Sequence, residues 1–101
     1  MVCEIIWSPL ALKTFLGNIA YLQEKWTEKE IIRFTNAVDR KLKLLSQVPK
    51  VGSLTSKQAG LRKTIVVQRI ILVYRYKPRK NLIELVQFFN TWQSPSKMKR
   101  K

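Results

Sequence analysis

The second half of the chain places cations at a spacing that suits an anion-binding surface. Arginines and lysines alternate with apolar residues along stretches that predict β-strands, and others lie in the polar stretch just before them. Arginine suits phosphate and carboxylate because its planar guanidinium donates to two oxygens at once. We expect six of these residues to share one concave basic surface: Lys50, Lys57, Arg62, Arg69, Arg75 and Lys77.

The cations are unevenly distributed along the chain. Residues 1–47 carry seven Lys/Arg and five Asp/Glu, whereas residues 48–101 carry thirteen Lys/Arg and one acid, Glu84, which gives the whole chain a net charge of +14. A single lysine or arginine is most simply a solvated charge that protects a strand edge from unwanted pairing. Thirteen cations against one anion exceed what edge protection needs, so we expect a polyanion or an acidic protein as the partner.

An aromatic and polar cluster closes the last apolar stretch. Phe89, Asn90 and Trp92 follow one another closely and are harder to bury than the residues before them. Aromatic rings beside cations can stack on a nucleic-acid base. They can equally cover the edge of a sheet or pack against a partner protein, so the cluster is predicted to bind a target or a partner.

Length and composition bound the class of protein. With 101 residues, we expect one domain over residues 1–93, followed by a basic tail over residues 94–101. The hydrophobic content of 46% excludes a disordered chain, and no apolar run approaches the ~20 residues of a membrane span. The N-terminus has no pattern of a secretory signal, so we expect a cytoplasmic protein. With one cysteine and no histidine, we expect neither a disulfide, a metal nor another cofactor.

The first half predicts a strand and two helices. Residues 2–7 are apolar and β-prone, and Ser8-Pro9 is typical of a helix start. An apolar stripe of Phe15, Ile19, Leu22 and Trp26 then predicts a helix of about 16 residues. The next sequence, Thr27-Glu28-Lys29-Glu30, matches a capping box and predicts the start of a second helix, which Pro49 ends.

The second half predicts a loop and three strands. Residues 49–60 contain two glycines and no periodicity, so they are predicted as a loop. Alternating apolar residues predict strands over 61–67, 69–77 and 82–89, with a turn at 78–81. The order is β-α-α-β-β-β. Because the helix pair must bury its apolar stripe, we predict a two-layer α+β domain in which a helical hairpin packs on an antiparallel sheet.

Several of these segments together resemble the RelE/ParE superfamily of toxins. The segment Ile6-Trp7-Ser8-Pro9-Leu10-Ala11 is similar to the family's opening strand and helix, and Tyr21-Leu22 with Trp26 is similar to the end of that helix. Leu45, Pro49 and Gly52 resemble the residues that close its helical hairpin. Gly60-Leu61-Arg62-Lys63 and Ile71-Leu72-Val73-Tyr74-Arg75-Tyr76 resemble two of its strands. The resemblance covers about residues 4–89.

This resemblance implies the toxin of a bacterial type II toxin–antitoxin pair. Such toxins are small basic proteins that a cognate acidic antitoxin wraps and masks, and operator DNA is bound only through the antitoxin. RelE-like members cleave mRNA in the ribosomal A site, whereas ParE-like members inhibit DNA gyrase. The resemblance therefore implies the ribosome with mRNA, or gyrase, as the target.

The chain departs from the RelE-like pattern at the residues that would move protons. It has no histidine, and Glu84 is the only acid after Asp39. Arg62 and Arg75 match basic strand positions of the family, and Lys63 could act as a base, so these three are the catalytic candidates. Because proton transfer lacks an obvious residue, we favour ParE-like inhibition of gyrase. A ribosome-dependent endoribonuclease and an inactive basic binding module are the alternatives.

Overall fold

The computed structural model describes residues 3–25, 27–56, 60–67 and 70–90. Several residues singled out above lie outside these ranges. They are Trp26, Lys57, Arg69, Trp92 and the whole basic tail.

The described chain folds in the predicted order, with one additional strand. The elements are β1 (Glu4–Trp7), α1 (Pro9–Lys25), α2 (Glu28–Gln47), β2 (Ser53–Ser56), β3 (Leu61–Val67), β4 (Ile70–Lys77) and β5 (Leu82–Asn90). Both helices pack on the sheet, which confirms the predicted α+β fold.

Strand β2 corrects the prediction of a loop over residues 49–60. Its sequence, Ser-Leu-Thr-Ser, has one β-branched residue and no aromatic residue, which is too weak a signal to mark a strand. It becomes a strand because it pairs with β3, with Ser53 opposite Lys63 and Leu54 opposite Arg62. The neighbouring strand supplies hydrogen bonds that no local pattern signals.

The sheet is mixed, whereas the prediction was an antiparallel sheet. Its strand order is β1-β5-β4-β3-β2, and β1 runs parallel to β5 while all other pairs are antiparallel. Periodicity cannot specify the direction of β1. Tertiary contacts set it, because the Cys3 amide donates to the Ser46 carbonyl at 2.7 Å and the Glu4 amide donates to the Asn81 carbonyl at 3.1 Å. Because β5 lies between β1 and β4, it is an interior strand, which explains why it is apolar at most positions.

The predicted helix starts are confirmed. The Ser8 hydroxyl accepts from the Ala11 amide at 3.0 Å at the start of α1. At the start of α2, Thr27 and Glu30 form the capping box, in which each side chain accepts from the other residue's amide. Neither helix in the described ranges is long and apolar enough to cross a membrane.

An aromatic cluster joins the helices to the sheet. The ring of Phe15 lies 5.3 Å from that of Trp7, 5.7 Å from that of Phe34 and 5.5 Å from that of Phe88, measured between centroids. Aromatic pairs at these separations add to the stabilisation from burial. Phe15, which the sequence placed on the apolar stripe of α1, thus packs in the core together with Trp7 and Phe34. The core fills the space between the helices and one face of the sheet.

Candidate anion-binding surface

Strand register sorts the cations of the sheet onto two opposite faces. Arg62 of β3 lies opposite Tyr74 of β4, whereas Arg75 lies opposite Leu61. Directly paired residues point to the same side of a sheet and neighbours along a strand alternate, so Arg62 and Arg75 point to opposite sides. Tyr74 is fully buried on the helix-covered side, which leaves Arg75 on the other face. The single surface expected from the sequence is therefore divided in two.

We call the face of the sheet that the helices do not cover the open face. Its members follow from the strand pairings. They are Glu4, Ile6, Ser53, Leu61, Lys63, Ile65, Ile71, Val73, Arg75, Lys77, Leu82, Glu84, Gln87 and Phe89.

On the helix-covered side, Arg62 secures the loop between α2 and β2. Its Nη1 donates to the Gly52 carbonyl at 2.7 Å and to the Lys50 carbonyl at 3.4 Å. The guanidinium thereby satisfies backbone acceptors of the loop, which is the task of a structural arginine. Lys50 itself is exposed, and Arg62 holds the backbone that carries it.

Tyr74 secures the same loop from beneath. Its buried hydroxyl accepts from the Gly52 amide at 2.9 Å and donates to the Pro49 carbonyl at 2.8 Å. Burial raises the pKa of the Tyr74 phenol above its ordinary value, while the Gly52 hydrogen bond and the nearby Arg62 charge lower it in part. The phenol therefore stays neutral at physiological pH and keeps the proton that it donates to Pro49.

On the open face, two cations enclose one carboxylate. The Arg75 Nη1 lies 3.0 Å from Oε1 of Glu84, and the Lys77 Nζ lies 3.7 Å from the same oxygen. All three side chains are about one-third exposed. Arg75 and Lys77 can thus hold a single anionic oxygen between them, which is the contact that a phosphate or a partner's carboxylate would make.

A β-bulge in β5 places Glu84 and Gln87 on the same face. Residues three apart on a regular strand point to opposite sides. Here Tyr74 pairs with Leu85 and Val73 pairs with Gln87, so Val86 is an extra residue. The Ser8 hydroxyl donates to the Val86 carbonyl at 3.1 Å and so supports the bulge from the start of α1. The Ser-Pro sequence that begins α1 also shapes the open face.

Beyond this charged cluster, the open face becomes apolar. Ile71 pairs with Ile65 on one side and with Phe89 on the other, and Ile65 is 63% exposed. Phe89 is half-buried on this face. Asn90, which the sequence placed with it, points to the helix-covered side opposite Ile70 and is only 5% exposed. The predicted aromatic and polar cluster is therefore separated between two faces.

A cleft beside β3 adds Lys41, a lysine outside the residues that the sequence predicted for the site. The cleft has a volume of about 420 Å³ and lies where α2 passes the edge of the sheet. Lys41 of α2 and Lys63 of β3 both line it, so it continues the basic surface around the sheet edge. The position of Lys41 beside the apolar residues Val38 and Leu42 was a possible signal, but only the packing of α2 on β3 shows what it faces. The other lining residues are Val51, Gly52, Ser53, Thr64, Ile65 and Ile71.

Comparison with known proteins gives solved structures but no sequence relatives. No protein-family model and no curated protein matches the chain. The chromosomal ParDE toxin–antitoxin system of P. aeruginosa matches with a TM-score of 0.70 at 13% identity, covering 88% of this chain and 96% of that one. The RelBE2 toxin–antitoxin complex of Mycobacterium tuberculosis matches with a TM-score of 0.62 at 15% identity, covering 89% and 99%.

A third similar structure is a mutant of the E. coli toxin RelE in the free state. It matches with a TM-score of 0.61 at 14% identity, covering 99% of this chain and 93% of that one. These matches span nearly the full length of each compared chain, and they agree with the resemblance read from the sequence. The chain therefore has the fold of the RelE/ParE superfamily of toxins.

Proposed function

We propose that this chain is the toxin of a bacterial type II toxin–antitoxin pair and that it acts in the cytoplasm. The observation that carries the proposal is the combination of the RelE/ParE fold with cations on the open face that an anionic partner can reach. Arg75 and Lys77 stand on the open face with one acid between them, and Lys63 is exposed nearby. Similar structures come from toxin–antitoxin systems, which supports a protein partner for this face.

The antitoxin is proposed to be acidic and to cover the open face. An acidic segment would compete with Glu84 for Arg75 and Lys77, and apolar side chains of the same segment would cover Ile65 and Ile71. Phe89, which lies opposite Ile71 on the same face, is proposed to take part in this contact. Because surface ion pairs are screened by salt, the complex should weaken as ionic strength rises.

The proposed target is DNA gyrase, inhibited through protein contact in the ParE-like manner. What supports this choice is the chemistry of the open face. Among its described residues, the groups that could carry protons are Glu4, Glu84 and the cations themselves, and Glu84 is engaged in two ion pairs. The sequence contains no histidine that could shuttle a proton near neutral pH.

Two measurements test the toxin proposal. Induced expression without the neighbouring gene should arrest growth, and co-expression of a short acidic protein encoded beside it should restore growth. Purified protein, freed of that partner, should inhibit gyrase supercoiling at micromolar concentration. Normal growth on induction would instead favour the inactive basic binding module.

The second candidate function is a ribosome-dependent endoribonuclease. Cleavage of RNA by its own 2′-hydroxyl requires cations that stabilise a phosphate with additional negative charge. The approach of Arg75 and Lys77 to one oxygen is the observation that favours it. Lys63 lies on the same face, whereas Arg62 is engaged with loop carbonyls on the other side.

A translating extract separates the two candidates. Cleaved mRNA that disappears in an Arg75→Ala variant would establish the endoribonuclease and refute the gyrase proposal. Arg79→Ala is the matched control, because Arg79 is an exposed cation in the turn between β4 and β5. Its removal lowers the net charge by the same amount and should leave either activity unchanged.

A further inference from the structure

Helix α1 carries apolar residues on its outward side as well as on its buried side. Ala11 and Leu22 are fully buried against the sheet, yet Leu12 is 49% exposed and Leu16 is 54% exposed. A surface helix normally presents one apolar stripe to the core and polar residues to solvent. A helix that is apolar on both sides is normally covered on both sides, so the outward side of α1 is a candidate contact surface.

Helix α1 has a glycine on this outward side. Gly17 lies in the interior of the helix, where glycine weakens the helix relative to alanine. Its backbone does not need glycine, since the described glycine with a positive φ is Gly60. A Cβ atom added at Gly17 would meet nothing within 4 Å. Nothing within the described part of the chain explains the glycine, whereas close approach of another backbone would.

The charged residues on this side of α1 are placed so that two antiparallel copies of the helix would complement each other. Lys13, Gly17, Ala20 and Glu24 follow at spacings of four, three and four, and all are exposed. They therefore form one row along the helix, with a positive and a negative end separated by about 16 Å. The row is symmetric about the midpoint between Gly17 and Ala20, so an antiparallel copy of the helix would place each lysine beside the other copy's Glu24.

We propose that two copies of this chain associate through the outward sides of their α1 helices, crossing antiparallel at Gly17 and Ala20. The contact is isologous, because the same row serves both copies, as a twofold dimer requires. Leu12 and Leu16 are buried beside the crossing, and the two Lys13–Glu24 pairs fix the register.

Charge favours a second copy over an acidic partner at this surface. Residues 9–25 carry two lysines and one glutamate, a net of +1, although the whole chain carries +14. The open face with Arg75 and Lys77 lies on the other side of the sheet from the helices. Two copies that meet through α1 therefore keep the cations of their open faces apart, which limits the repulsion between them.

A charge-reversal cycle tests the proposal on the full-length chain without its antitoxin. Sedimentation equilibrium should show a monomer–dimer equilibrium for the wild type. Lys13→Glu and Glu24→Lys should each raise the dimer dissociation constant by about tenfold or more, because each change turns two attractive pairs into repulsive ones. The double variant should return to near the wild-type value, because the pairs re-form with exchanged signs.

The glycine supplies an independent variant. Gly17→Leu fills open space in the single chain and improves helix propensity, so it should stay folded by circular dichroism while the dimer is lost. Gln47→Leu, at an exposed helical position outside α1, should leave the dimer intact. A wild-type chain that remains monomeric up to its solubility limit would overturn the proposal, as would a double charge variant that stays as weak as the single ones. Growth arrest and gyrase inhibition are separate readouts, so the dimer and the proposed function can fail independently.

Discussion

Replacing Tyr74 with phenylalanine tests how the loop before β2 is held. The substitution removes one oxygen and leaves the ring in the core, so it creates almost no cavity. The buried Gly52 amide loses its acceptor at 2.9 Å, and the Pro49 carbonyl loses its donor at 2.8 Å. A buried donor without a partner costs about 1–3 kcal/mol, whereas the partly buried carbonyl can turn to water at smaller cost. We expect Tyr74→Phe to lower the free energy of unfolding by about 2 kcal/mol.

Urea unfolding at neutral pH measures this loss directly. The midpoint should fall while the slope stays constant, since the change in surface exposed on unfolding is nearly the same. For a chain of this size, the midpoint of thermal unfolding should drop by about 10 °C. The Gly52 amide should also exchange faster with solvent, although Arg62 still donates to the carbonyl of the same residue at 2.7 Å.

Tyr76→Phe is the matched control. Tyr76 lies two residues further along the same strand, is half-buried, and its hydroxyl makes no hydrogen bond within the described part of the chain. Removing the Tyr76 hydroxyl should lower the free energy of unfolding by less than about 0.5 kcal/mol. If Tyr74→Phe costs no more than this control, the hydroxyl does not hold the loop, and the account of Arg62 and Tyr74 as its two supports is wrong.

Four further predictions concern Gly52, Thr27, Glu84 and the ionisation of Tyr74. Gly52→Ala should destabilise the fold by about 2–3 kcal/mol in urea unfolding, because a Cβ atom would lie 2.7 Å from both the Lys63 carbonyl and the Tyr74 hydroxyl; wild-type stability would contradict the close packing. Thr27→Ala should cost about 1 kcal/mol through loss of the capping box, and a cost near zero would show that the helix end is already frayed. Glu84→Gln should tighten the binding of an acidic peptide several-fold in a fluorescence titration, because it removes the carboxylate that competes for the cations of the open face; unchanged or weaker binding would remove that face from the contact. Since burial raises the Tyr74 pKa, the phenol ionises later in the folded chain than at the ~10 of the unfolded chain. The stability that the neutral phenol contributes is therefore present below pH ~10 and is lost as the pH rises above it. The difference in unfolding free energy between wild type and Tyr74→Phe should narrow above pH ~10. A difference that stays constant up to about pH 12 would contradict the raised pKa.

Local signals in the sequence were sufficient for the helices and most strands. Ser8 and Thr27 cap their helices where the sequence predicted, because a cap depends on residues within one turn of each other. The turn after β4 was equally local, with Asn81 in the left-handed conformation at φ 53°. Strand β2 was missed because its hydrogen bonds come from β3, and the parallel direction of β1 was missed because it depends on contacts with residues about 80 positions away.

The sequence by itself determined that this chain is basic in its second half, that it folds as two helices and a sheet, and that it resembles the RelE/ParE toxins. Composition and short-range periodicity carry that information, and neither depends on how strands pair. The tertiary structure decided which cations act together. Alternation along β3 and β4 could be read from the sequence, but only the pairing of Arg62 with Tyr74 and the bulge at Val86 establish register. A shift of one residue moves every side chain to the other face, so register alone places Arg75, Lys77 and Glu84 on one surface and Arg62 on the opposite one.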